Sequence, residues 1–94
     1  MIKISLLKDQ IIIKGHANYA EYGNDIVCAS VSSIAITTIN AILRFDSNNI
    51  SYIEKDGYLE INIINHTKEV DILLTNMIEL FKELEKQYKN IKIN

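Results

Sequence analysis

The chain has 94 residues, 48% of them apolar, and a formal net charge of −2. That length fits one domain over residues 1–94 around one core and excludes two, and the apolar fraction excludes a disordered tail. A near-neutral, slightly acidic balance with lysines scattered singly excludes the basic surface that nucleic acid phosphates require, so no direct nucleic acid partner is expected.

In chain order, Ile2, Ile4 and Leu6 alternate with Lys3 and Ser5. After the turn residues Lys8, Asp9 and Gln10, a second apolar run from Ile11 to Ile13 leads into Gly15, which predicts a hairpin. Residues 17–24 read as a loop, with Asn24 or Asp25 as the natural N-cap of a long helix. Residues 26–43 are eighteen uncharged residues in a row, the lower limit for a membrane helix. Ser30, Ser33, Thr37, Asn40 and Arg44, however, recur at steps of three and four on one stripe, opposite Cys28, Val31, Ala35, Ile39 and Ile42. This two-faced pattern predicts a packed helix of a soluble protein and no membrane partner. "ISYIEK" and "YLEINII" read as two strands joined through Asp56 and Gly57, a pair suited to the positive φ angles of a tight turn. From Thr67 the period changes. Val70, Leu73, Leu74, Met77, Leu80, Phe81, Leu84 and Tyr88 form a helical stripe, and Glu69 and Asp71 suit its positive N-terminal end. Residues 91–93, "IKI", add a short last strand. The order ββαββαβ predicts an α+β two-layer sandwich, with two helices packed on an antiparallel or mixed sheet.

Cys28 is the only cysteine, which excludes an internal disulfide, and His16 and His66 lie too far apart to form a zinc spacing. No metal and no organic cofactor are expected. A lone thiol suits a reducing cytoplasm, and Lys3, Lys8 and Asp9 interrupt any apolar run long enough for a signal peptide, so no export is expected. With Asp25 as cap, Cys28 takes the third helical position, among backbone N–H groups without an intrahelical acceptor and at the positive end of the helix. Both effects favour a thiolate. His16, where the second strand ends, is placed to add an imidazolium, and a cysteine activated in this way is a nucleophile at neutral pH. On residue chemistry alone Cys28 is equally well a small core residue, and Asp25 equally well only a helix cap. Gly15 and Gly23 suit unusual backbone angles or the close approach of a substrate, and Tyr19 and Tyr22 suit a loop or a lid. His66 reads as a loop residue without a role.

The segment "GHANYAEYGNDIVCASVS" resembles the signature of the ribosomal-processing cysteine proteases, the Prp family, through Gly15, His16, Ala17, Gly23, Asp25, Ile26, Val27, Cys28, Ala29 and Ser32. The resemblance implies His16 and Cys28 as the catalytic pair, with Asp25, Gly15 and Ser32 supporting. It further implies a bacterial cytoplasmic homodimer that removes the N-terminal extension of large-subunit ribosomal protein twenty-seven. In the mechanism this suggests, Cys28 attacks a peptide carbonyl, His16 protonates the leaving amine, and the amides of Cys28 and Ala29 stabilise the oxyanion. Two other classes fit the residues: a non-enzymatic ribosome-associated binding module with a core cysteine, and a redox-sensing thiol protein, although the chain holds no resolving thiol. The stripe Ser30, Ser33, Thr37 and Asn40 carries no charge, so it reads either as a dimer contact or as a surface covered by the loop or the second helix.

Overall fold

The computed structural model describes residues 1–15 and 24–94, with side chains in the first helix described from Ile26 onward. The elements are β1 (Ile2–Leu6), β2 (Gln10–Lys14), α1 (Asn24–Phe45), β3 (Ile50–Lys55), β4 (Tyr58–Ile63), α2 (Lys68–Gln87) and β5 (Ile91–Ile93). The five strands form one mixed sheet in the order β3-β4-β2-β1-β5. Every pairing is antiparallel except β1 with β5. This is the expected α+β arrangement, with the sheet in its mixed form.

Alternation along the strands decides which side of the sheet the helices cover. Ile4 stands opposite Ile13, Ile13 opposite Leu59, and Ile11 opposite Ile61, so these side chains share one face. All of them are buried, together with Ile2, Ile50 and Ile91. From the helices, Val27, Val31, Ala35, Ile39 and Ile42 of α1 and Val70, Leu74, Met77 and Phe81 of α2 close the same core. Phe81 and Met77 are fully buried, which contributes roughly 1.5–3 kcal/mol apiece. Leu80, expected on the inner stripe of α2, lies at its margin and is exposed. α1 is long and apolar enough to cross a membrane by length and composition; in this fold its apolar stripe is the central packing surface of the core.

The connections are made by local polar chemistry. Gln10 belongs to β2 rather than to the preceding turn, and its side-chain amide donates to Asn62 Oδ1 of β4 at 2.9 Å. In the turn between β3 and β4 only Gly57 takes a positive φ, +72°, so Asp56 does not share the left-handed conformation its sequence allows. Thr67 caps α2, its hydroxyl accepting from the Val70 amide at 3.1 Å. At the same corner His66 lies between two carboxylates. Its Nε2 is 2.7 Å from Asp9 in the β1–β2 turn, and its Nδ1 is 3.0 Å from Asp71 in the first turn of α2. These contacts, Asp9 first and Asp71 second, hold the imidazole pKa above its ordinary value.

Candidate active site

β2 and β3 both pair antiparallel with β4, so they run in the same direction, and α1 returns the chain from the end of β2 to the start of β3. The N-terminus of α1 therefore meets the sheet where β2 and β3 finish and β4 begins. Gly15 marks the exit of β2 at that end. Its φ is +82°, its amide donates to the Gly57 carbonyl at 2.8 Å, and a Cβ there would collide with the Met1 carbonyl oxygen. Only glycine meets both conditions. The chain segment that begins with His16 thus departs from a corner fixed by the β3–β4 turn on one side and the start of β1 on the other.

Cys28 is a free thiol near the start of α1, half-buried and packed against the edge of the core. α1 begins at Asn24, so both expected caps lie inside the helix, and Cys28 is its fifth residue rather than its third. An acid in the first turn complements the helix dipole, which makes a helical position for Asp25 as favourable as a capping one.

One helical turn further on, Ser32 is half-buried on the same side as Cys28. It lines a shallow depression between α1 and the sheet with Val31, Ala35 and Ile36 from the helix and Ile13, Glu54 and Leu59 from the strands. The fold thus places Cys28 and Ser32 about one helical turn apart on α1, the helix that follows the strand closed by Gly15. His16, Ala17, Tyr19, Tyr22 and Gly23 lie outside the described residues, as does the side chain of Asp25. Glu54 is the residue in this neighbourhood that the sequence reading missed: an alternating strand such as "ISYIEK" does not reveal which of its faces turns toward the helices.

A free cysteine near the start of a helix in a two-layer α+β domain is a placement that thiol nucleophiles use. Residues 1–93 match the family model described as cysteine protease Prp. The ribosomal processing cysteine protease Prp of Staphylococcus aureus is 33% identical over 88 residues, covering 89% of this chain and 83% of that protein. The crystal structure of the S. aureus ribosomal processing protease Prp in complex with a substrate peptide superposes with a TM-score of 0.85 at 26% identity, covering 99% of this chain and 95% of that one. A second S. aureus Prp structure, with a covalently linked product peptide, gives a TM-score of 0.81 at 29% identity, over 99% and 95% of the two chains. The chain belongs to the Prp family of cysteine proteases.

Proposed function

We propose that this chain is a ribosomal-processing endopeptidase that removes the N-terminal extension of large-subunit ribosomal protein twenty-seven, with Cys28 as nucleophile and His16 as its acid and base. The observation that carries the reading is the half-buried free thiol near the start of α1, the helix that follows β2 and so begins at the end of the sheet where Gly15 closes that strand. The substrate peptide bound to the S. aureus relative supports an extended chain as the ligand, and the covalently linked product peptide there supports a covalent route.

The Cys28 thiolate attacks the carbonyl carbon, and the carbonyl electron pair moves to oxygen, where N–H groups at the start of α1 stabilise it. As that pair returns, the C–N bond breaks and His16 gives its proton to the leaving amine. His16 then takes a proton from water, the hydroxide attacks the thioester, and the C–S bond breaks to restore the thiolate. Gly15 sets the departure of the chain toward His16, Ser32 borders the cleft beside Cys28, and Asp25 supports the His16 imidazolium. The enzyme works in the cytoplasm as a homodimer. Ser33, Thr37 and Asn40 on α1 are exposed and uncharged, which supports this face as the contact.

The test is incubation of the purified protein and its Cys28→Ala variant with the extended ribosomal protein, read by intact mass. Loss of the extension with the parent alone is the expected result. Cleavage by both proteins would identify a contaminant, and cleavage by neither would favour the binding-module reading.

A further inference from the structure

The helix-facing side of the sheet carries one charge. Pairing places Ile50, Tyr52 and Glu54 of β3 on the face that holds Ile63, Ile61 and Leu59 of β4. Every other strand residue on that face, across all five strands, is Ile, Leu or Tyr. β3 is also an edge strand, and of its inward residues only Ile50 is buried, so Tyr52 and Glu54 extend past the cover of the helices. The Glu54 side chain forms no hydrogen bond or ion pair among the described residues. Among the described residues the nearby cations do not face it: Lys55, Lys14 and Lys3 alternate onto the opposite side of the sheet, and α1 holds no charged residue between Asp25 and Arg44.

Glu54 nevertheless lies at a defined place: it lines the depression together with the buried Val31, Ala35 and Leu59 and the half-buried Ser32, which is one helical turn from Cys28. At 1.5 Å of rise per helical residue, Ser32 is about 6 Å along α1 from Cys28 and Ile36 about 12 Å. An extended peptide advances about 3.3 Å per residue, so the depression spans side chains roughly two to four residues from the bond under attack. The depression is only water-sized, about 10 Å³, so what it offers a passing chain is an apolar surface with one charge beside it, which suits the stem and head of a cationic side chain.

We propose that Glu54 is a specificity-determining residue, which pairs with a Lys or Arg of the substrate chain two to four residues from the bond that Cys28 attacks. The inference rests on the peptide-cleaving reading of Cys28. The competing role for an inward charge on an edge strand is to discourage sheet-to-sheet association, which acts on solubility and oligomeric state and not on substrate choice.

The two roles separate in a charge-swap experiment. Peptides spanning the cleavage junction of the extended ribosomal protein, each with a single Lys or Arg replaced by Gln or by Glu, are assayed against the parent, Glu54→Gln and Glu54→Lys, with thermal melts as a check on folding. At one position the parent should lose about tenfold in kcat/KM on Lys→Gln, chiefly through KM, and more on Lys→Glu. Glu54→Gln should show the same loss on the unaltered peptide and no further loss on the Gln peptide. Glu54→Lys should cleave the Glu peptide better than the parent does. Equal kcat/KM for parent and Glu54→Gln on every peptide would overturn the inference, as would a uniform loss on all peptides, or a change confined to solubility and sedimentation. If the parent cleaves no peptide and no extended ribosomal protein, the proteolytic reading fails and this inference falls with it; cleavage by the parent without any Glu54 effect removes this inference alone.

Discussion

Gly15→Ala tests the corner from which the chain leads to His16. Gly15 and Gly57 share a positive φ, +82° and +72°, but differ in surroundings: a Cβ at Gly57 meets nothing within 4 Å, whereas one at Gly15 strikes the Met1 carbonyl oxygen. Alanine at Gly57 therefore costs only the left-handed conformation, about 1 kcal/mol. Alanine at Gly15 adds displacement of the Met1–Ile2 backbone, which the Ile2 amide anchors to the Asn90 carbonyl at 2.7 Å. A forced shift of packed structure costs about 1–3 kcal/mol, giving roughly 2–4 kcal/mol in total. For a domain of this size 1 kcal/mol moves Tm by about 4–8 °C, so Gly57→Ala should lower Tm by about that amount and Gly15→Ala by at least about twice as much. Differential scanning calorimetry of the two variants beside the parent gives the comparison, and cleavage measured well below both transitions shows whether Gly15→Ala also loses activity while folded. Equal Tm losses in the two variants would refute the steric argument, and full activity of Gly15→Ala would remove this corner from the positioning of His16.

The remaining predictions concern charge and association. His66 binds its proton more tightly in the folded state, so its contribution to stability is complete below the unfolded value of 6.5 and is lost as pH rises through the raised folded value. Tm should therefore fall between pH 6 and pH 8.5 by a few degrees more in the parent than in His66→Asn; parallel curves would dismiss the carboxylate clamp. Asp25→Asn should keep the parent Tm and lose at least about tenfold in cleavage rate, since the supporting charge is removed while helix-start chemistry is kept; undiminished cleavage would exclude Asp25 from the mechanism. Arg at both Ser33 and Thr37 should convert a dimer into a folded monomer by sedimentation equilibrium, and a double variant that still sediments as a dimer would move the contact away from α1.

Much of the fold was legible because the signals are local. Both hairpins follow from period-two alternation and turn residues, and α1 and α2 follow from stripes whose inner members, Val31, Ala35, Ile39, Ile42, Val70, Leu74, Met77 and Phe81, are the buried ones. What is set at long range was not. The pairing of β5 beside β1 joins residues about ninety positions apart through a three-residue strand, and three residues carry no register of their own. His66 showed two acidic residues within five positions, Glu69 and Asp71, but its shorter contact is to Asp9, 57 positions away. The position of Cys28 near the start of α1 was legible from its place between a turn-rich segment and an apolar helix. The exact helix start was not, because Asn and Asp suit the cap and the first turn alike. Glu54 stayed hidden because facing is decided by pairing with β4.

The His66 clamp joins the β1–β2 turn to the start of α2, at the end of the sheet opposite Cys28. In a domain that unfolds cooperatively, a contact at one end contributes to the persistence of the whole molecule without altering the chemistry at the other. The clamp loses the proton that holds it as pH rises, so the persistence of the domain declines on the alkaline side. Brief assays should therefore favour a more alkaline buffer than prolonged ones, in which survival of the enzyme counts as much as its turnover. The pH of greatest total product should drift downward as incubation lengthens or temperature increases, and in His66→Asn that drift should be smaller.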